Sequence, residues 1–350
     1  MNILVTGGTG FLGRSIIDLI KNYHEHQFYL LTRKIESQYL NEFIKDYSHI
    51  QLVQGDITRP DIFFNSEVYD DMIEKIEVIL HAAAYYDLQG SYSSCFMYNI
   101  VGTQNILFFA KKINRLKSFH YVSTVAVAGD YSGRMPEKFL DLGQKFSNHY
   151  AKTKADAEKL VRDSAKNLPQ IRIYRLGILI GDTKTGFMDK LDGPYYFTNA
   201  FYRVLREMPL ARKVPVLLMP YSPDSLLPII PVDLAASFVT HALLNVVGDD
   251  PIKTYHVVSD QCPDLKSLLT DILDMFGMQV QIFGVPKNQA LGPIFKALKL
   301  PTELIEYMYA KTTYDRQNVM TDFPEMKLGR YSEYKKVFLE GALAREKMRG

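Results

Sequence analysis

The chain of 350 residues contains no tryptophan, only two cysteines and almost no net charge. Lysine and arginine total 41 and aspartate and glutamate 39, which gives a formal net charge of +2 at pH 7. Such a balance lacks the basic surplus of nucleic-acid-binding proteins, so no nucleic-acid partner is expected. Cys95 and Cys262 are too few for a disulfide framework and lack the spacing of a metal site. Neither an oxidising compartment nor a bound metal is therefore predicted.

The sequence also lacks an uninterrupted apolar run long enough to span a bilayer. Its most apolar stretch, 226–247, is interrupted by Pro228, Pro231 and Asp233, and we expect a strand end followed by a core helix there. Met1 is followed at once by the residues of a strand, so a cleaved signal peptide is not expected. These absences predict a cytoplasmic protein without a transmembrane span.

Short β-branched runs alternate with amphipathic helical patterns over the first half of the chain. The predicted strands cover residues 3–6, 28–31, 50–53, 78–81, 118–123 and 171–175, and further strands are predicted at 229–230, 254–258 and 280–283. Alternation of this kind is typical of α/β proteins, in which right-handed crossovers place helices on both faces of a parallel sheet. The sequence therefore predicts a doubly wound parallel (Rossmann) sheet.

Composition divides the chain into two kinds of segment. The alternating pattern of residues 1–181 predicts a cofactor-binding Rossmann domain, and a strand and a helix return to it at about 229–260. Residues 182–228 are rich in proline, tyrosine and methionine, and residues 261–350 end in short helical patterns. We predict that these two ranges form a smaller C-terminal substrate-binding part, woven into the first domain without a linker.

A glycine-rich turn lies between the first predicted strand and the first predicted helix. It reads Gly7-Gly8-Thr9-Gly10-Phe11-Leu12-Gly13, so that Gly7, Gly10 and Gly13 have the spacing GxxGxxG. A tight turn needs a residue without a Cβ, a pyrophosphate needs close approach of the backbone, and a helix N-terminus attracts anions. In this strand–turn–helix context, the motif predicts a dinucleotide site.

The residues after the second and third strands bear on which dinucleotide is bound. An NAD-specific enzyme would place an acid after the second strand, but this sequence has Arg33 and Lys34 there. Arg33 can bind a 2′-phosphate and stack on adenine, which favours NADPH; the alternative is an exposed basic turn. After the third strand come Asp56 and Ile57. Asp56 either accepts from the adenine amino group or forms a turn.

Three alanines follow the fourth predicted strand, which ends at His81. The small side chains of Ala82, Ala83 and Ala84 leave room for a ribose beside the strand end. His81 itself is interpreted as a packed strand-end residue rather than a catalyst.

Tyr150 and Lys154 begin a predicted helix after the fifth strand. Residues four apart share a helix face, so the ammonium can lie beneath the phenol at a bound nicotinamide. A free phenol titrates near pH ~10, and a neighbouring positive charge moves it toward a useful range. This pair is therefore the candidate for acid–base catalysis.

With these motifs in this order, the sequence resembles the extended short-chain dehydrogenases/reductases over about residues 1–260. The matching segments are Gly7-Gly10-Gly13, Asp56-Ile57, the alanines after His81, residues 99–103, residues 121–124, and Tyr150 with Lys154. The resemblance implies that the catalytic hydroxyl, counted back from Gly129, is Thr124, with Ser123 as its near neighbour. It also implies that Asn99 organises Lys154 through ordered water.

Within that family, the sequence is most similar to fatty acyl-CoA reductases and to thioester reductase domains of peptide and polyketide assembly lines. This similarity is carried by Arg33 and by residues 175–181, 185–186, 230–235 and 314–318. Many relatives have proline in place of Leu176, but Leu176, Gly177 and Ile178 are expected to contact the cofactor through their backbone. The resemblance implies NADPH-dependent reduction of an acyl thioester to an aldehyde, with Thr124 and Tyr150 stabilising the oxyanion. A lipophilic acyl group would then arrive on coenzyme A or on an acyl carrier protein.

Two segments are candidates for contact with lipid-like groups. The stretch 187–230 either lines an apolar slot for the acyl chain or forms the small core of its own subdomain. Its bulky residues are Phe187, Met188, Tyr195, Tyr196, Phe197, Phe201, Tyr202, Leu217, Leu218 and Met219. The tail 293–311 alternates apolar residues with lysines, and it either packs on the protein or makes peripheral contact with a membrane.

Three other functions compete with thioester reduction. An epimerase or dehydratase acting on nucleotide sugars would favour an acid where Arg33 stands. An NADPH-dependent hydroxysteroid-type or flavonol-type ketone reductase would share both the cofactor and the apolar pocket, so it stays open. A redox-sensing NADPH-binding protein would typically lose Tyr150 or Lys154, and both are present.

Overall fold

The computed structural model describes residues 1–34, 38–138, 141, 143–188, 190–288 and 290–349. The strands in these ranges are β1 (Asn2–Thr6), β2 (Gln27–Thr32), β3 (Ile50–Gln54), β4 (Val78–His81), β5 (Ser118–Thr124), β6 (Gly133–Met135), β7 (Ile171–Leu176), β8 (Ile178–Ile180), β9 (Val216–Pro220), β10 (Ile229–Pro231), β11 (Ile252–Val257), β12 (Gln281–Val285) and β13 (Thr312–Tyr314). The predicted substrate-binding ranges include residues 189, 289 and 350, which lie outside the described residues.

The helices fill the connections between these strands. They are α1 (Phe11–Ile20), α2 (Gln38–Ile44), α3 (Ser66–Lys75), α4 (Tyr92–Cys95), α5 (Gly102–Ala110), α6 (His149–Asp163), α7 (Tyr195–Glu207), α8 (Val232–Leu244), α9 (Leu265–Met275), α10 (Leu291–Ala297), α11 (Leu304–Met308), α12 (Gln317–Asp322) and α13 (Tyr331–Arg349). A π-helical segment, Phe96–Val101, joins α4 to α5.

In the described part of the chain, seven parallel strands form the central sheet in the order β3-β2-β1-β4-β5-β7-β11. The doubly wound parallel sheet predicted from the alternating pattern is confirmed. Strand order reverses direction between β1 and β4, and ligands of such sheets bind at the carboxyl ends of the strands beside this switch point. Thr6 at the end of β1 pairs with His81 at the end of β4, which places both at that edge.

Helices cover both faces of the sheet with separate cores. On one face, α1 and α8 bury apolar residues such as Ile16, Ile17 and Phe238 against the strands. On the other face, α3, α5 and α6 contribute residues such as Ile106 and Val161. A third core lies outside the sheet, where α7, α9, α10, α11 and α13 pack together.

The C-terminal segment contributes to two of these cores. Val319, Phe323 and Leu328 pack in the core that α1 and α8 form on the sheet, whereas Tyr331 and Phe338 belong to the third core. The strand β13 pairs with β6, which ties the tail to the loop that follows β5. The division into 1–181 with 229–260, and 182–228 with 261–350, stays a prediction. In the structure, the tail is interleaved with the sheet.

Two features differ from the sequence expectations. The short strands β6, β8, β9 and β13 were not predicted, because they form two-stranded pairings outside the central sheet with segments far along the chain, and no local pattern specifies such partners. The last helix, α13, spans 19 residues where short helices were expected. The buried residues of α13 include Arg345 and Glu346 as well as apolar side chains. Its sequence therefore lacks the continuous apolar stripe that is typical of a packed helix.

Within the described ranges, no helix combines the length and the apolarity needed to cross a bilayer.

Candidate active site

A cavity of about 470 Å³ opens at the carboxyl ends of β1, β4, β5 and β7. The predicted site residues that line it are Gly7, Gly10, Phe11, Leu12, Gly13, Ala82, Ala84, Thr124, Tyr150, Lys154, Leu176, Gly177 and Ile178. They come from five separate segments of the sequence. The order of the strands therefore brings together the glycine turn and the Tyr/Lys pair.

The glycine turn has the close packing that its spacing predicts. Gly7 has φ +80°, and a Cβ there would fall 2.5 Å from the backbone nitrogen of Ala83. A Cβ on Gly13 would fall 2.1 Å from the carbonyl oxygen of Gly7. Helix α1 can therefore begin this close to the turn only because residue 13 has no side chain. Gly10 borders the cavity, and its N–H donates to the Gly7 carbonyl over 3.0 Å. The turn thus presents bare backbone at a helix N-terminus, a typical cradle for a pyrophosphate.

A buried hydrogen-bond chain holds the turn to the neighbouring strand. The hydroxyl of Thr103 donates to the carbonyl oxygen of Asn99 over 2.6 Å, so it accepts from Nε2 of His81 at 3.0 Å. Nδ1 of His81 then accepts from the hydroxyl of Thr6 at 2.8 Å, and the same hydroxyl accepts from the N–H of Ala83. Burial lowers the pKa of His81 to about 3, so the ring is neutral. This supports a structural role for His81.

Tyr150 stands in the first turn of α6, which begins where the side chain of Asn148 accepts the N–H of Ala151 over 2.8 Å. Burial raises the pKa of the Tyr150 phenol, and a hydrogen bond with the side chain of Thr124 opposes that rise. Thr124 closes β5, and its hydroxyl also accepts the N–H of Ala126. Thr124 and Tyr150 therefore face the same point of the cavity with two hydroxyl groups.

Lys154 lies one turn further along α6, with 2% of its surface exposed. Its ammonium donates to the hydroxyl of Tyr121 over 2.8 Å and to the carbonyl of Val122 over 2.7 Å. Burial lowers the pKa of Lys154 to about 7, and the negative charge of Glu158 opposes that shift. Two of its three N–H donors are thus used, and the third is available toward the cavity that Lys154 lines.

Beneath this pair, Glu158 forms a buried ion network with two arginines. Nη2 of Arg175 lies 2.6 Å from Oε1 of Glu158, and Arg162 lies 2.9 Å from the same oxygen. The hydroxyl of Ser123 donates to Oε2 over 2.7 Å. The network therefore joins α6 to β5 and β7 directly behind Thr124 and Lys154. Ser123, the near neighbour of Thr124, points into this network.

Asn99 does not contact Lys154 directly. Its side-chain oxygen accepts from the backbone N–H of Tyr85, and its amide donates to the hydroxyl of Thr153 over 3.1 Å. Asn99 lies in the π-helical segment and is buried. It holds the residue next to Lys154, and its role toward the lysine through water stays a prediction.

Four other predicted cofactor residues lie beyond the cavity lining. Arg33 is exposed at the end of β2, where its guanidinium donates to the hydroxyl of Tyr98 over 2.9 Å. Asp56 accepts from the N–H and the hydroxyl of Thr58, which is the geometry of a turn. Ile57 packs against Gly102, where a Cβ would meet its side chain at 2.7 Å. The N–H of Ala83 faces Thr6, as described above.

Sequence reasoning missed several residues that close the cavity opposite the glycine turn. They are Tyr86, Leu88, Lys190, Asp192, Gly193, Leu226, Leu227, Pro228, Leu265, Leu304, Tyr307, Met308, Ala310 and Thr312. Most lie in loops or short helices distant from one another in the sequence. Tyr314, which was noted only as part of a family likeness, also lines the cavity.

Some residues of the aromatic stretch 187–230 line the cavity, and others pack in the core of the subdomain. Met188 and Phe197 line the cavity. Most of the other residues named above pack in the third core, and Leu218 is 63% exposed. The subdomain core therefore takes the larger share of this stretch.

The tail 293–311 packs on the protein instead of forming one exposed helix. Phe295, Leu300, Leu304 and Met308 are buried in the third core, and the segment breaks into α10 and α11. Most of the apolar stripe is therefore not available to a membrane.

Comparisons with known proteins agree with this geometry. A family model of an NAD-binding domain, described as male sterility protein, matches residues 5–239. The fatty acyl-CoA reductase wat of Drosophila melanogaster is 28% identical over 238 residues, which cover 55% of this chain and 46% of that protein. The non-canonical nonribosomal peptide synthetase cpsA of Aspergillus campestris is 29% identical over 208 residues, or 53% of this chain and 20% of that protein. The chain thus matches less than half the length of either relative.

Solved structures are similar to this protein over the whole chain. The terminal R domain from the myxalamid PKS-NRPS biosynthetic pathway has a TM-score of 0.77 and 23% sequence identity, and the match covers 100% of this chain and 91% of that one. At this level of identity the likeness concerns the fold alone.

Proposed function

Because the chain belongs to the male sterility protein family of NAD-binding domains, matched here over residues 5–239, we propose that it is a reductase that uses NADPH to convert an acyl thioester into an aldehyde. The membership confirms the predicted extended short-chain dehydrogenase/reductase class and a nicotinamide cofactor. One observation gives the proposal its main support. A single cavity joins the glycine turn, the Thr124–Tyr150–Lys154 group and a largely apolar wall.

The residues around the turn fit a nicotinamide dinucleotide. The pyrophosphate would lie on the bare backbone of Gly7 to Gly13, and the small Ala82 and Ala84 leave room for a ribose. Arg33 is the basis for proposing NADPH, because it is exposed beyond β2 with no carboxylate bound to it among the described residues. A 2′-phosphate would replace the hydrogen bond to the neutral Tyr98 hydroxyl by a bond between two opposite charges.

When bound, the dinucleotide supplies a hydride to the carbonyl carbon of the substrate. Thr124 and Tyr150 would donate hydrogen bonds to the oxygen on which negative charge develops, and Tyr150 would transfer its proton to that oxygen. Lys154 would use its third N–H on the ribose, and its positive charge would favour the phenolate that Tyr150 becomes. With a thioester, the product of this step is a hemithioacetal, which releases a thiol and leaves an aldehyde.

The wall opposite the turn supports a lipophilic acyl group. Met188, Phe197, Leu227, Leu304 and Met308 line it. Each buried methylene contributes about 0.8 kcal/mol, so four more carbons would raise affinity by roughly two orders of magnitude until the space is filled. Coenzyme A or a carrier protein would deliver the chain.

The test is NADPH oxidation with acyl-CoA and acyl-pantetheine thioesters of increasing chain length, alongside steroid, flavonoid and simple ketones. We expect free thiol to appear in step with NADPH loss, and kcat/KM to rise with chain length. Turnover of ketones alone, without thiol release, would transfer the assignment to a ketone reductase.

A further inference from the structure

One carboxylate stands in the largely apolar wall of the cavity and has no part in the reduction described above. Asp192 lies just before α7 and is 7% exposed. Among the described residues that line the cavity, it is the only acid. A buried carboxylate is costly unless it is paired or hydrogen-bonded, so its partners indicate its purpose.

The partners of Asp192 use only one of its two oxygens. Oδ1 accepts from the hydroxyl of Tyr86 over 2.6 Å and from the N–H of Gly193 over 2.7 Å. In the described part of the chain, Oδ2 accepts no hydrogen bond and is not among the fully enclosed polar atoms. Because Asp192 lines the cavity, Oδ2 is an acceptor open to whatever occupies that space.

Tyr86 fixes this carboxylate close to the reacting groups. The edge of the Tyr86 ring meets the ring of Tyr150 with the centroids 4.7 Å apart and the planes at 90°. The ammonium of Lys190 lies 4.5 Å from the centroid of the Tyr86 ring and donates to the backbone carbonyl of Tyr86. One aromatic ring, that of Tyr86, therefore separates Asp192 from the catalytic phenol. A substituent a few carbon atoms along a bound chain from the reacting carbonyl would lie beside Asp192.

We propose that Asp192 selects substrates by accepting a hydrogen bond from a hydroxyl or amino group on the acyl chain, a few carbons from the thioester carbonyl. The proposal rests on the thioester-reductase function given above. A bound acyl chain without a substituent would displace water from Oδ2 and leave that oxygen without a hydrogen bond. A hydroxyl or an ammonium group on the chain would instead donate a hydrogen bond to Oδ2. Sites that bind a substrate hydroxyl in this way discriminate strongly against the analogue that lacks it.

The experiment compares three pantetheine thioesters of equal chain length: octanoyl, 3-hydroxyoctanoyl and 3-aminooctanoyl. The wild-type protein is expected to show a kcat/KM for at least one substituted substrate that is about 10- to 150-fold above octanoyl, the range for a hydrogen bond to a charged group. Preference for the amino compound would identify charge pairing, and preference for the hydroxy compound a neutral donor. Asp192→Leu should remove the preference, so that the ratio of kcat/KM for the substituted substrate to kcat/KM for octanoyl falls to about one.

Two further variants separate specificity from folding. Tyr86→Phe keeps the ring on Tyr150 but removes the hydroxyl that donates to Oδ1 of Asp192, so we expect it to reduce the preference in part. Asp224→Asn removes a surface acid paired with Lys311 and should leave the preference unchanged. NADPH binding, measured by fluorescence, identifies any variant that has failed to fold.

The possible failures are distinguishable. If the wild-type protein reduces all three thioesters equally well, or if Asp192→Leu keeps the preference, the selective role of Asp192 is wrong while thioester reduction stands. If the protein binds NADPH but reduces none of the thioesters, the proposed function fails and the role of Asp192 falls with it.

Discussion

Tyr150 is the residue on which the proposed chemistry depends most directly. Changing Tyr150→Phe removes the proton donor but keeps the ring against Tyr86, so NADPH binding should stay nearly intact. We expect turnover to fall by roughly 10²-fold or more, the usual loss with a general acid. The check is kcat from NADPH oxidation with a binding titration beside it. Near-normal turnover would mean that another phenol donates the proton.

Tyr307 makes a matched control for that change. It lines the same cavity, is half-buried, and its hydroxyl accepts from the side chain of Asn148 over 3.0 Å. It has no hydrogen bond with Thr124, and the lysine four residues further on, Lys311, lies beyond the end of α11 and pairs with Asp224. Tyr307→Phe should therefore cost much less turnover than Tyr150→Phe.

The proposed preference for NADPH over NADH depends on Arg33. Arg33→Asp should weaken NADPH binding by about 1.5–3 kcal/mol, which corresponds to about 10- to 150-fold in affinity. NADH affinity should fall less, or improve, since a carboxylate can bind the ribose hydroxyls. Kd values for both dinucleotides measure this. Equal affinities of the unmodified protein for NADH and NADPH would contradict the role of Arg33.

At the scale of residues, the sequence predicted the half of the site that local motifs define. Gly7, Gly10, Gly13, Tyr150 and Lys154 lie at fixed spacings beside predictable elements, and the structure brings them together. Tyr86 and Asp192 were missed, because they stand in loops 106 residues apart and no periodicity connects them. Only the folded chain makes them neighbours.

Among the elements, α6 does most to organise the site, through the network of Glu158 with Arg162 and Arg175. Although burial raises the pKa of Glu158, the two arginines and Ser123 lower it to about 2. A carboxyl whose folded pKa is depressed stabilises the folded protein above its unfolded pKa, and that stability is lost as the pH falls through the folded value. The stabilising effect should therefore be complete above about pH 5 and decrease between pH 4.5 and 2.

Glu158→Gln tests this dependence. At pH 7 it should lower the free energy of unfolding by about 3–5 kcal/mol, since it leaves buried arginine charge unpaired. The difference from the wild-type protein should shrink as the pH falls below 4.5, as measured by urea unfolding at several pH values. The control is Asp156→Asn on the same helix, whose exposed pair with Lys152 contributes at most about 1 kcal/mol. A pH-independent difference for Glu158→Gln would refute the charge argument.

The helices and strands were predicted best where their local sequence pattern is regular. The seven central strands were all expected, because buried parallel strands are continuous apolar runs between turns. The pairs β6 with β13 and β9 with β12 join segments far apart in the chain, and nothing local specifies such partners. The length of α13 was missed because its buried face includes a charged pair, Arg345 with Glu346.

At the scale of the whole molecule, α13 packs backbone to backbone against the loop after β8. A Cβ on Gly341 would fall 2.2 Å from the carbonyl carbon of Gly186, so the two backbones touch. Gly341→Ala should force α13 away and lower the free energy of unfolding by about 1–3 kcal/mol, the usual cost of overpacking. Thermal unfolding measures the change.

Gly292→Ala provides the comparison. Gly292 is also helical, in α10, and a Cβ there would meet nothing within 4 Å. This change should be neutral or stabilising by about 0.5–1 kcal/mol. Equal effects of the two substitutions would show that helix propensity, not the contact of α13, determines the result.

The contribution of the C-terminal segment to the core on the sheet has a consequence for biosynthesis. Phe323 packs against Phe238 and Tyr255, and Asp322 accepts hydrogen bonds from Lys253 and Tyr255 on the edge strand β11. The ribosome adds roughly 70 residues after β11 before Leu328 is made, which takes on the order of 4–14 s at 5–20 residues per second. For that interval, the part of this face that Val319, Phe323 and Leu328 cover in the folded protein stays exposed. During those seconds it offers a binding site to a chaperone that recognises apolar segments.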